Sequence, residues 1–167
     1  NTGLATVGEM GSSQRSDYTV IGDPINLGAR LESLCKYYGS KCNISSFTKA
    51  QLTGDYIFRD LDLVVVKGKT EPVEIWQVLD FENGYENETL YSVTREELGK
   101  ELDDYHKALE MYRNSLFSQA LELFKELEKN ELKTNDKIYK IYIERCEHYI
   151  EMPPVNFNGV FVHTTKG

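Results

Sequence analysis

Cysteine is scarce in this chain of 167 residues, with only Cys35, Cys42 and Cys146. The number is odd and no CxxC or zinc-type spacing occurs, which argues against a disulfide framework or a zinc module. The three read as reduced thiols of a cytoplasmic protein. Histidine is equally sparse. His106, His148 and His163 are scattered without partners at metal-ligand spacing, so they read as ordinary packing or surface residues. No apolar run approaches the roughly twenty residues of a membrane-spanning helix, and no signal peptide is visible. Any membrane attachment is therefore expected only through segments upstream. Basic charge is in deficit, 19 Lys and Arg against 27 Asp and Glu, for a net charge of −8. That balance argues against a general nucleic-acid binder, which needs a basic face, but leaves room for a local cationic pocket.

What the chain does have is material for a core: 40% of its residues are hydrophobic and 11% are aromatic, too much for a wholly disordered segment. Residues 1–81 read as strands around one main helix. Leu4 to Val7 and Tyr18 to Ile21 flank a Gly- and Ser-rich loop and read as a hairpin. Leu27, Leu31, Leu34 and Tyr38 form a helical stripe from Pro24 onward, and Gly39 supplies the stop. Asp23 is expected as the N-cap, with Pro24 in the first helical position. Cys42 to Ser45 is a short strand candidate. Arg59 to Val66 and Val73 to Leu79 form a second hairpin, in which Val73, Ile75 and Gln77 alternate with Glu74, Trp76 and Val78. Asp17, Asp23, Asp55, Asp60 and Asp62 are expected to be turn, cap or solvated acids.

The acidic, turn-rich stretch over 82–94 reads as a linker. Helices follow over 95–151. Thr94 and Glu97 make a capping box, and apolar stripes run through Leu98, Leu102, Tyr105 and Tyr112, then Phe117, Ala120 and Phe124, then Ile138 to Ile150. The pattern resembles a tetratricopeptide-type helical hairpin extended to three helices. One such unit cannot bury its own face, so it should pack on the first region or on a partner. The tail, 152–167, holds Val160-Phe161-Val162, a candidate edge strand.

The run Tyr18-Thr-Val-Ile-Gly-Asp-Pro-Ile-Asn-Leu-Gly-Ala-Arg-Leu-Glu32 concentrates the chemical signal. Asn26 and Arg30 stand four apart, so both project from one helix face, where an amide and a guanidinium can grip a sugar oxygen and a phosphate. With the glycine-punctuated entry Asn1 to Gly11 and the later Val66-Lys67-Gly68-Lys69, the run resembles the signature of class III nucleotidyl cyclases, in its Thr-type bacterial branch.

That resemblance implies an α+β architecture, a ferredoxin-like antiparallel sheet flanked by helices, here present as the C-terminal half of the catalytic domain. It implies adenylate cyclase chemistry, ATP to 3′,5′-cyclic AMP and pyrophosphate, at a site shared between two catalytic domains of a homodimer. Asn26 then orients the ribose, Arg30 meets charge on the phosphates, and Lys67 stands on the pyrophosphate side. Thr19 is the purine-reading position, and the Val20 carbonyl is a second candidate for the purine amino group. A hydroxyl serves either purine by chemistry alone; the family precedent of Thr favours ATP. Two divalent metals, Mg2+ or Mn2+, are held in the family by aspartates upstream of the position of Asn1, and no acid of this chain matches them. A guanylate cyclase and a non-catalytic interaction module are the alternatives.

Overall fold

A computed structural model describes residues 1–66, 70–81, 93–130 and 134–163. The expected linker at 82–94 lies almost wholly outside the described residues, as does Lys67. The chain opens with a hairpin, β1 (Thr6–Ser12) and β2 (Arg15–Ile21), antiparallel in unbroken register from Thr6 opposite Ile21 to Ser12 opposite Arg15. Helix α1 (Asp23–Tyr38) follows, then β3 (Asn43–Ser45), the single-turn α2 (Ser46–Lys49), and the hairpin of β4 (Tyr56–Val65) and β5 (Val73–Phe81). Three helices, α3 (Arg95–Arg113), α4 (Phe117–Lys129) and α5 (Asp136–Glu151), lead to β6 (Phe161–Val162).

The expected α+β class holds in coarse form, with two differences. The β1–β2 ribbon forms a sheet by itself, beside a four-stranded sheet in the order β3-β5-β4-β6. That second sheet is mixed rather than antiparallel: the tail docks at its edge as expected, but β6 runs parallel to β4, pairing Phe161 with Val64 and Val162 with Val65. A parallel partner needs a long crossover, and the three helices provide it.

Local signals account for several helix ends. Gly39 closes α1 in the left-handed conformation, φ 68°. At the other end Gly22, not Asp23, is the cap, because its carbonyl already accepts from Ile25 N and Asn26 N (3.1 and 3.3 Å). Asp23 therefore falls in the first turn, where a carboxylate suits the helix dipole. The Thr94–Glu97 capping box forms reciprocally at the start of α3, and the Asn135 side chain accepts from the amides of Lys137 and Ile138 at the start of α5.

Leu27, Leu31, Leu34 and Tyr38 of α1 share one continuous core with Leu61, Val64, Val73 and Ile75 of the sheet and with Tyr105, Tyr112, Phe124, Tyr139 and Tyr142 of the three helices. The helical aromatic stripe is packing surface. Phe124 and Tyr142 stack with centroids 4.9 Å apart, and Tyr112 meets Tyr142 edge-on at 5.0 Å.

The joint between sheet and helices is polar, and it corrects the expectation for Asp60 and Asp62. Both are buried, not solvated. Asp60 takes a bidentate pair of bonds from Arg113 of α3 (2.7 and 2.9 Å). Asp62, 1% exposed, accepts from Arg145 of α5 and from the Tyr38 hydroxyl of α1, both at 2.8 Å. Arg59 reaches Glu101 of α3 at 3.0 Å, and Glu101 also accepts from Thr134 and Tyr139. Burial works against the Arg145 charge, but Asp62 together with Tyr142, Tyr38 and Tyr112 outweighs it and holds the guanidinium above its ordinary value.

A β-bulge makes this possible. Asp60 pairs with Trp76 and Asp62 with Ile75, so Leu61 is an extra residue on β4. The strand's alternation breaks there, and four consecutive residues, Arg59 to Asp62, are buried together. Two backbone carbonyls of the bulge find side-chain donors: Tyr105 bonds Asp60 O at 2.8 Å and Tyr142 bonds Leu61 O at 2.7 Å.

Removing one partner of a buried pair strands the other charge. Arg145→Met should therefore lower unfolding free energy by about 3–5 kcal/mol, read from urea denaturation, and the added Asp62→Asn should restore part of that loss. A second expectation concerns the thiols. Burial pushes the Cys146 thiol up to about 12, whereas Cys42 is exposed. A thiol reagent at neutral pH should label Cys42 quickly and Cys146 only after unfolding, as peptide mapping would show.

Candidate functional site

The motif residues sit where β2 passes into α1. Strand propensity carries Tyr18 to Ile21 along the ribbon, Gly22 turns the chain, and the helix begins at once. Thr19 is half-buried and faces Gly8 across the ribbon, so no side chain opposes its hydroxyl from β1. Val20 pairs with Val7 and is exposed, its side chain on the opposite face from Thr19.

On α1 the core stripe faces inward, and Asn26 and Arg30 stand one position before Leu27 and Leu31, about 100° round the axis. Asn26 is exposed and Arg30 half-buried. Neither side chain makes a hydrogen bond or ion pair with any described residue; beyond helix backbone bonds, the Arg30 carbonyl accepts from Ser33 Oγ. An amide and a guanidinium thus lie on one helix with no described residue taking up their donors. The structure brings Thr19, Val20, Asn26 and Arg30 onto two consecutive elements, while Lys67 lies outside the described residues.

A cleft of about 700 Å³ opens beside the first turn of α1. Asp23, Pro24 and Leu27 form one wall, Thr70 to Val73 another, and Asn1, Thr2, Gly3 and Phe47 the rest. Asn26, Arg30, Thr19 and Val20 are not among its lining residues. The segment Asn1-Thr2-Gly3 is docked: Asn1 Nδ2 donates to Pro24 O at 2.8 Å, Ser45 Oγ to Asn1 Oδ1 at 2.6 Å, and the Thr2 and Thr48 hydroxyls meet at 3.0 Å. Gly3 lies so close to Pro24 that a Cβ there would fall 2.4 Å from the ring.

Around the ribbon the surface is apolar. Leu4, Val7, Tyr18, Val20, Ile21 and Ile25 are all exposed, and a two-stranded ribbon with little cover is marginal by itself. Metal chemistry does not fit the described residues. No group of three or more His, Cys, Asp or Glu among them could hold an ion, and the buried acids Asp60, Asp62 and Glu101 are each paired with an arginine.

The sequence reading missed the buried network of Arg59, Asp60, Asp62, Glu101, Arg113 and Arg145. Its signal was the run Arg-Asp-Leu-Asp inside a strand with apolar flanks. Three charges in four strand residues have to be solvated or paired, and with Tyr38, Tyr105 and Tyr142 available, pairing wins.

No family model matches the chain. Curated relatives do. The chain is 34% identical over 149 residues, 87% of its length, to the terminal-differentiation specific adenylate cyclase of Dictyostelium discoideum. A match that long necessarily takes in the helices beyond residue 81. It is 35% identical over 79 residues, 47% of its length, to adenylate cyclase 1 of Rhizobium meliloti (strain 1021). Among solved structures, the adenylyl cyclase CyaB from P. aeruginosa shares 36% identity with it over 49% of this chain and 41% of that one, at a TM-score of 0.40. The chain spans 6% and 12% of the length of the two curated relatives. Most of this chain is thus similar to a segment of one adenylate cyclase, and about half of it to a segment of another.

Proposed function

We propose that this chain is the nucleotide-gripping part of a class III adenylate cyclase of the Thr-type branch, which converts ATP to 3′,5′-cyclic AMP and pyrophosphate. The observation that carries the reading is the Asn26–Arg30 pair, fixed on one helix with its donors unspent, in a chain similar over most of its length to an adenylate cyclase. Amide and guanidinium donors carried on one helix face are the kind of group that stabilises charge developing on phosphate oxygens. In this reading Asn26 orients the ribose, Arg30 meets the phosphates, Lys67 meets the leaving pyrophosphate, and Thr19 with the Val20 carbonyl reads the purine.

The rest follows the same reading. The exposed apolar ribbon supports completion of a ferredoxin-like sheet by upstream sequence and pairing with a second copy in a homodimer. Ligands for Mg2+ or Mn2+ belong to that upstream half. Helices α3 to α5 are a tetratricopeptide-like extension, and three free cysteines fit a cytoplasmic location.

The test is cyclic nucleotide formation from ATP and from GTP by the intact polypeptide, with Arg30→Ala and Asn26→Ala beside it. Each variant should lose roughly 10²–10³-fold in kcat. Because neither side chain is partnered by a described residue, stability should stay within about 0.5 kcal/mol. Unchanged turnover removes the pair from the mechanism. Preference for GTP would make the enzyme a guanylate cyclase.

A further inference from the structure

After α5 the chain returns to the sheet and brings His163 to the far end of α1. The His163 amide donates to Val65 O at 3.0 Å, extending the β6–β4 pairing by one bond. Its imidazole is 8% exposed, and Nε2 lies 3.0 Å from the Tyr38 hydroxyl. Tyr38 has a single proton, which goes to Asp62 Oδ2 at 2.8 Å. The other bond must therefore run from His163 Nε2–H to the Tyr38 oxygen, which fixes the tautomer.

The surroundings suit a neutral ring. Tyr37 of α1 and Phe161 of β6 meet it edge-on, both with centroids at 4.9 Å, and Tyr38 lies at 6.0 Å. The charged groups that face it are Asp62 of β4 and Arg145 of α5, already paired with each other at 2.8 Å. Arg145 also lies over the Phe161 ring at 3.5 Å. An imidazolium would enter a site whose one carboxylate is already neutralised by a guanidinium.

We propose that His163 is a proton-sensitive latch: neutral, it braces β6 and the C-terminal end of α1 onto β4, and on taking up a proton it lets the tail strand go. The brace acts on the helix that carries Asn26 and Arg30, but the inference does not depend on what those residues bind. Burial holds the imidazole below its ordinary value, with Asp62 opposing and Arg145 adding to the effect. For a depressed histidine the contribution is complete above the unfolded value, about 6.5, and is lost as pH falls through the folded value.

NMR on this chain tests the latch, following the His163 Cε1–H shift and the protection of the Val162 and His163 amides from about pH 7.5 to about pH 5. His163 should titrate below the ordinary histidine value. Protection, corrected for intrinsic exchange, should fall by up to about tenfold per pH unit below about 6.5, the slope for one proton. His163→Gln keeps an Nε2–H donor without a titration, and its protection should be flat with pH. The latch is overturned if His163 titrates at or above the ordinary value with its contacts to Tyr37 and Phe161 retained. It is also overturned if wild-type protection does not change, or if the glutamine variant loses protection as the wild type does. Should that variant fail to fold, the wild-type titration decides alone.

Discussion

The pairing of Asp62 with Arg145 is the contact on which the arrangement of this chain turns. One carboxylate, almost wholly removed from water, takes bonds from α5, from α1 through Tyr38, and from its own strand through Leu63 N. An isolated charge at that depth would be expelled or neutralised. It is tolerated because every element that must meet there contributes a donor. Apolar packing is indifferent to small slides of one surface over another; a bidentate or tridentate polar joint is not. The geometry ties the direction of α5 to that of β4, and the end of α1 to both.

The bulge at Leu61 is the enabling irregularity. A regular strand would place Asp60 and Asp62 on one face and Arg59 and Leu61 on the other. With the extra residue the alternation breaks, all four are buried, and two carbonyls accept from Tyr105 and Tyr142. Sheet and helices then share a main core, from Leu27 of α1 to Cys146 of α5, and a smaller cluster in which Leu79 of β5 meets Val93, Leu98 and Leu102. The same joint accounts for the tail, since Arg145 stacks on the Phe161 ring while His163 reaches Tyr38.

What the sequence made legible was local. The stripe at Leu27, Leu31, Leu34 and Tyr38, the stop at Gly39, the capping box at Thr94 and Glu97 and the alternation of Val73 to Gln77 each rest on residues within a few positions of one another. The Asn26–Arg30 pair belongs to this class, because helical spacing alone places both on one face. Asp60 and Asp62 do not, since their partners are 53 and 83 residues away and no periodicity reports a partner at that range. The parallel sense of β6 was hidden for the same reason: it is decided by the path of three helices, not by Phe161 and Val162. For the site, the face of α1 was readable, while the cleft beside its first turn, walled by Thr70 to Val73, arises only when β5 folds back.

The parallel strand has a consequence for how the chain reaches its native state. Its hydrogen-bonded partner is about a hundred residues earlier, and the bond between Tyr38 and His163 spans 125 positions. Closing so long a loop is costly until the intervening helices have ordered. On a ribosome, the edge of β4 beside Val64 and Val65 therefore emerges and waits, unpaired, through the synthesis of all three helices. The strand that covers it follows those helices in sequence, so completion of this sheet is coupled to their synthesis.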